Sequence, residues 1–376
     1  MSGADLPLLI DGSLEHLGGV WDESRALFPY STRVVDGRYV NDYDHPDAIR
    51  YTINSLLGLA EWARHAAGDE SRVQAQTAAF VERHSADVVT CADTGLLTLL
   101  LAEHGEAGGL SAAGACERLR SQLERPVAEL TMQDLGWALW GACAATRAGV
   151  SGADAAAARA FDLIRSNLVV EQSSLPRHST RRYRRDIVSF GSLVYYLRAL
   201  HEYAQTAGST EAATLFEHGA RFALGLQGPL GEWPWLMDAR SGRVVDGYPV
   251  FSVHQDSMAM LWLLPARDRG LPGAAEAIPR SLRWGFGQNE LGIDFYVPGP
   301  FVAHRSIERA ERMPRLRRYL RSLVPRAHPT FGDARLRLNP ECRSYHLGWV
   351  LFAWAGRPEA LARTLPAGGS TAAARR

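Results

Sequence analysis

The chain of 376 residues contains no lysine; all 41 of its basic residues are arginine. No side chain can therefore form a Schiff base, which excludes lysine-linked pyridoxal phosphate and lysine aldolase chemistry. A Walker A loop, which needs its lysine, is absent too. Long apolar runs are also missing: none approaches the roughly 18–20 residues that span a bilayer. The N-terminal MSGADLPLLIDGSLEHLGG lacks a basic segment followed by an apolar stretch, so no signal peptide is expected and the expected compartment is the cytoplasm. Cysteine is scarce: Cys91, Cys116, Cys143 and Cys342 show no CxxC spacing, and buried free thiols are expected rather than disulfides or a zinc site. His254-x-Asp256 offers only two ligands and there is no HExxH, so no metal and no other cofactor is expected. Net charge is zero and the pI is about 7.2, which argues against a nucleic-acid partner.

What is present is a helical rhythm. Six apolar segments open near Asp47, Asp93, Asp134, Asp186, His254 and Tyr345, each behind a cluster of polar, charged or aromatic residues. Stretches such as LLTLLLA and SMAMLWLL are apolar nearly all round, as helices packed on two sides are. More amphipathic segments alternate with them at 71–84, 111–124, 152–168, 211–226, 273–287 and 306–324. Six inner and six outer helices predict an all-α fold, a single (α/α)6 toroid over 1–363, with a small β-hairpin-containing insertion near 228–253. Residues 1–46 read as irregular, and 364–376 has the composition of a disordered tail. The connections 171–185, 228–253 and 289–305 break the rhythm, and long connections in a compact domain are usually functional.

In such a ring the inner helices are parallel, so their N-termini share one mouth. Tyr248, His254 and Asp256 flank a loop-to-helix junction where His254 or Asp256 could serve as general acid or base with Tyr248 as partner; the plain alternative is that Asp256 and Ser252 only cap the helix. Asp134 and His346 complete the candidate catalytic set. Arg50, Tyr51, Asp93, Arg343 and Tyr345 should ring the same mouth as substrate-binding residues, above walls carrying Trp62, Trp137, Trp140, Trp262 and Trp349. Aromatic platforms beside carboxylates suit a sugar. Arginine clusters point to an anionic one, because the guanidinium fork grips carboxylate or phosphate. Arg182 and Arg185 lie ahead of Asp186, and Arg305 opens the 306–324 segment, so all three are candidates for that grip. Asp134, Asp256, Glu290 and Asp294 are the carboxylates a glycosidase could pair.

QGPLGEWPW at 227–235 fits Gln-x-x-x-Gly-x-Trp, and Gln288 to Asp294 is a partial second copy with Asp in place of Trp. This spacing resembles the QW motif of squalene–hopene cyclases and related prenyltransferase toroids, which implies a structural role for Gln227 packed on the Trp233 ring; Trp233 is also a candidate substrate-binding residue. Those cyclases also carry Asp-x-Asp-Asp; Asp42-Tyr43-Asp44-His45 departs from it at the last position. The segment RSYHLGW at 343–349, with Tyr248, is similar to the helical domain of uronyl C5-epimerases, which implies proton abstraction beside a uronate. The leading expectation is an enzyme acting on an anionic carbohydrate (a uronate, phosphorylated or lipid-linked sugar) by acid–base chemistry of the epimerase, lyase or glycosidase type. The alternatives are a terpenoid cyclase-like enzyme acting on an isoprenoid diphosphate, and a non-catalytic helical scaffold. Oligomeric state is not legible.

Overall fold

The computed structural model describes residues 5–66, 68–182, 185–310 and 335–358. Its helices begin with α1 (Asp5–Val20), α2 (Ala48–Ala66), α3 (Glu70–His84), α4 (Cys91–His104), α5 (Ala112–Leu123) and α6 (Met132–Arg147). They continue with α7 (Ala153–Leu163), α8 (Phe190–Ala207), α9 (Thr210–Leu224), α10 (Met260–Asp268), α11 (Ala274–Gly285) and α12 (Ser344–Trp354). The even-numbered helices pack side by side in order, and α12 closes the ring against α2. The odd-numbered helices form an outer layer, α3 on α2, α5 on α4, α7 on α6, α9 on α8 and α11 on α10. The fold is the expected (α/α)6 toroid.

Among the described residues the outer helix that packs on α12 is α1, in a segment expected to be irregular. Ser306–Arg309 is a strand, and 311–324 lies outside the described residues, as do Arg184 and the 364–376 tail. Residues 1–46 are therefore not irregular throughout. Leu6, Leu9, Ile10, Ser13, His16, Leu17 and Val20 are all buried, an i, i+3, i+4 stripe that reads as one face of an amphipathic helix.

Neighbouring inner helices approach closely because glycine faces glycine or bare backbone. A Cβ on Gly348 of α12 would sit 2.5 Å from the Asn54 carbonyl oxygen of α2, and one on Gly95 of α4 would sit 2.6 Å from the Trp137 carbonyl of α6. Side-chain caps start α4, α6 and α8: Thr90, Thr131 and Ser189 accept from the third backbone N–H of their helices. The fourth inner helix thus starts at Phe190, not at Asp186, which instead precedes a short strand and pairs with Arg177 at 3.1 Å and Arg240 at 2.8 Å. The inner segment at His254 opens as a single π turn, His254–Met258, before α10.

Small sheets decorate the ring. β1 (Ser31–Val35) and β2 (Arg38–Asp42) form a hairpin over Asp36-Gly37, both at positive φ as a tight two-residue turn requires. β3 (Ile187–Ser189), β4 (Leu236–Asp238) and β5 (Val244–Asp246) form one sheet that contains the expected hairpin of the 228–253 insertion. β6 (Val250–Phe251) pairs with β9 (Ser306–Arg309), which pairs with β10 (Leu336–Asn339); β7 (Tyr296–Val297) pairs with β8 (Val302–Ala303). Trp140 of α6 stacks on Trp349 of α12 across the axis at 5.8 Å, and Phe352 packs edge-on to both rings. This aromatic plug fills the middle of the barrel. Below it, Arg64, Glu103, Arg147, Glu202 and Arg198 make an arc of ion pairs across the C-terminal halves of α2, α4, α6 and α8.

Candidate functional site

Above the plug the helix N-termini do converge. Arg50 in the first turn of α2 grips the Asp93 carboxylate of α4 through both Nε and a terminal nitrogen, while Thr90 Oγ1 donates to the same carboxylate at 2.7 Å. Asp134 closes a capping box with Thr131 and accepts from the Ala92 backbone N–H at 3.2 Å, tying the starts of α6 and α4 together. Tyr51 of α2 meets Tyr345 of α12 with ring centroids 4.4 Å apart, and Tyr30 stacks on Tyr51 at 5.1 Å. The Arg50 guanidinium lies over the Trp137 ring, which meets Tyr195 edge-on at 4.6 Å.

The sixth wall carries the titratable core of the site. His346 Nε2 donates to Asp256, 2.9 Å from Oδ1 and 2.7 Å from Oδ2. Tyr296 donates its hydroxyl to Asp256 Oδ2 at 2.7 Å, and the Trp354 indole donates to the Asp256 carbonyl at 2.8 Å. Asp256 is 0% exposed, so these donors replace water around its charge. In a neutral imidazole, a carboxylate facing Nε2 favours the tautomer with its proton there and leaves Nδ1 as the ring's lone pair. His254, two residues before Asp256, is walled by Phe190, Trp235 and Phe251, and its buried Nδ1 has no hydrogen-bond partner among the described residues. Burial first, and the neighbouring His346 second, push its pKa down to about 3, so it is neutral at ordinary pH.

The rim is arginine-rich. Glu341 is shared by Arg33 at 2.8 Å, Arg305 at 3.2 Å and Arg343 at 2.6 Å, three cations on one carboxylate. Arg343 also stacks on the Tyr30 ring at 3.7 Å, and Arg305 lies over Phe251. Burial raises the pKa of Tyr345, against the opposing pull of Arg305 and Arg343, and its hydroxyl stays protonated.

Several expected site residues lie elsewhere. Trp233 is 0% exposed and stacks on Phe190, with its indole donating to Ser281 at 2.8 Å; it belongs to the core, not to a binding surface. Gln227 donates to the carbonyls of Gly231 and Ala277, clamping its own loop to α11. Tyr248 donates to Glu290 at 3.1 Å, and Glu290 also accepts from the Trp284 indole at 2.9 Å, so this pair forms its own cluster where the insertion meets α11. Arg182 is exposed on the 171–186 connection, the Arg185 carbonyl accepts from the His178 N–H at 2.9 Å, and Asp294 is an exposed loop residue that caps the Tyr296 N–H. Asp256 is no helix cap, since it sits inside the π turn, and Ser252 donates instead to the His304 and Arg305 carbonyls. Trp62 borders a separate cleft of about 220 Å³ between α1, α2 and α3, and Trp262 packs edge-on to Trp233. Tyr296 and Tyr195 went unnoticed in the sequence, where an isolated tyrosine carries no signal of its partner.

No family model matches the chain, and no curated protein sequence is similar to it. Solved structures do match, over nearly the whole length. A sugar epimerase from a ruminal bacterium superposes with a TM-score of 0.66 at 11% identity, covering 95% of this chain and 99% of the other. Cellobiose 2-epimerase from Bacillus thermoamylovorans gives 0.61 at 12% identity, covering 93% and 99%. Unsaturated glucuronyl hydrolase from Streptococcus agalactiae gives 0.59 at 11% identity, covering 95% and 92%. The architecture is that of the toroidal sugar epimerases and glycoside hydrolases. These matches are not terpene cyclases, and the Gln-x-x-x-Gly-x-Trp spacing arises here from a loop clamp and a core tryptophan.

Proposed function

We propose that this protein is a carbohydrate-active isomerase that inverts a carbon next to a carbonyl or carboxylate in an anionic sugar. The observation that carries the reading is the buried Asp256–His346 pair at the mouth of the ring. His346 Nδ1 takes the proton from the carbon, and Asp256 stabilises the imidazolium that forms. The electron pair moves into the carbonyl, giving an enolate whose oxygen is met by neutral His254 as hydrogen-bond donor and by Arg50. Tyr345 returns a proton to the opposite face of the carbon, and its transient phenolate is stabilised by Arg305 and Arg343. Solvent then restores both groups. Arg305 and Arg343 also hold the anionic group of the sugar, since Glu341 neutralises only part of their charge.

The mouth carboxylates favour this over a paired-carboxylate glycosidase. Asp93 is clamped by Arg50, Asp134 caps α6, and Asp256 is sealed under His346, so none stands free to face a glycosidic bond. The test is incubation with uronates and reducing disaccharides in D2O, followed by NMR. Deuterium entering at the carbon beside the carbonyl, abolished in His346→Gln, is the expected result. Turnover confined to unsaturated uronyl disaccharides, with release of the aglycone sugar, would replace this reading by a hydrolytic one.

A further inference from the structure

The β1–β2 hairpin packs one face on α1 and on the Phe301 segment, and among the described residues one of its edges is open. Thr32 of β1 exchanges backbone hydrogen bonds with Cys342, at 2.9 Å each way, so β1 is covered on both sides. Across the hairpin Thr32 is opposite Asn41, and the Tyr30 N–H reaches the Asp42 carbonyl at 2.7 Å. The two-residue turn makes Val35–Arg38, Arg33–Val40 and Ser31–Asp42 the hydrogen-bonded pairs. The main-chain groups of Tyr39 and Asn41 therefore point to the outer edge of β2. On the solvent face of the same hairpin, Val35 is 51% and Val40 54% exposed, among the largest apolar exposures in the described chain.

The order of residues along β2 is self-complementary. If a second β2 pairs antiparallel about a two-fold axis through Val40, Tyr39 and Asn41 of one copy exchange main-chain hydrogen bonds with Asn41 and Tyr39 of the other, the positions whose groups are free. Val40 then faces Val40, and Arg38 faces Asp42 twice, all in the closer, non-hydrogen-bonded pairs. Arg38 makes no ion pair among the described residues, and the Asp42 carboxylate accepts only a local bond from the Asp44 N–H at 3.1 Å. Strand edges that are guarded against association carry charges of one sign, which repel a copy of themselves. This edge carries opposite charges at equal distances from its centre, and a copy is attracted.

We propose that a second copy of this chain docks on β2, forming a two-fold dimer through a continuous four-stranded sheet β1–β2–β2–β1. Arg33, on the same hairpin, holds Glu341, so the interface adjoins the arginine rim of the mouth.

The test is sedimentation velocity across a micromolar concentration series, with circular dichroism confirming the fold of each variant. The wild-type protein should shift from its 41.3 kDa monomer to twice that mass. Arg38→Asp and Asp42→Arg should each weaken dimerisation by about ten-fold or more, because each puts two like-charged pairs into the interface. The double exchange should restore it to within about two-fold, because the pairs are re-formed in reverse. Val40→Cys should give an interchain disulfide on mild oxidation, the four native cysteines being buried. A protein monomeric throughout the series, a dimer indifferent to Arg38→Asp, or no recovery in the double exchange overturns the proposal.

Discussion

His346 Nε2 lies 2.7 Å from Asp256 Oδ2, and these two residues, 90 positions apart in sequence, are both buried. The pair brings the π turn before α10 and the first turn of α12 to one point, and Tyr296 reaches it from the 286–305 connection. In the proposed reaction this pair handles the proton at the mouth.

Asp256→Asn should lower kcat by about 10²–10⁴-fold with little change in KM, because the carboxamide cannot stabilise the imidazolium or enforce the tautomer. Steady-state kinetics on whichever sugar exchanges deuterium measures this. A fall in KM-controlled affinity with kcat intact would assign Asp256 to substrate binding instead.

Tyr296→Phe should cost roughly 1–3 kcal/mol of stability, since it leaves a buried carboxylate short of one donor. The same variant should reduce kcat less than Asp256→Asn does. Urea titration together with the same kinetics reads both effects.

Trp233→Phe should leave KM unchanged while lowering stability, and Trp233→Ala should cost about 3–5 kcal/mol through the cavity it opens. A large rise in KM for Trp233→Phe with unchanged stability would return this residue to the binding site.

Gly348→Ala should destabilise by about 1–3 kcal/mol or prevent folding, as the added methyl meets the Asn54 carbonyl oxygen at 2.5 Å. The same exchange at Gly18, which has open space around its Cβ position, should be neutral or stabilising by a few tenths of a kcal/mol, as expected within a helix.

Acid should unfold the protein through histidines rather than carboxylates alone. Burial lowers His16, His104 and His201 to about 4 and His254 to about 3, from 6.5. Below pH 6.5 the unfolded chain binds these protons and the folded one does not, so stability is full above that value. It falls as pH drops from 6.5 to the folded pKa values, by up to about 3 kcal/mol for each histidine lowered to about 4 and up to about 5 kcal/mol for His254. Denaturant midpoints between pH 7 and 4 should fall steeply. His16→Gln, which removes one such proton site, should flatten the slope.

Much of the ring was legible from local pattern. Inner segments apolar all round and outer ones with a stripe marked the α2–α11 hairpins, because a helix between two neighbours must be apolar on most of its surface. The N-terminal helix carried the same kind of stripe from Leu6 to Val20, but its membership of the ring depends on closure onto α12, a contact between the two ends of the chain. The expectation that 1–46 is irregular passed over Asp36-Gly37 between Arg33-Val34-Val35 and Tyr39-Val40, a hairpin turn signal that needs no tertiary help.

The site divided along the same line. Parallel inner helices dictated that Arg50, Tyr51, Asp93, Asp134, Tyr345 and His346 share a mouth, and periodicity alone was enough for that. Which of them are free was not, because a carboxylate at a helix start looks the same in sequence whether it caps a backbone, as Asp134 does, or holds an imidazole, as Asp256 does. Tyr248 fell to a neighbouring cluster and Trp233 to the core for the same reason: side-chain direction at a loop depends on the path of the loop. Sequence by itself determined the ring, its polarity and the ban on lysine chemistry, through spacing and composition. Only the tertiary structure decided that Asp256, Tyr296 and His346 form one buried unit, because those contacts join three segments far apart in the chain, and no local pattern encodes where such segments meet.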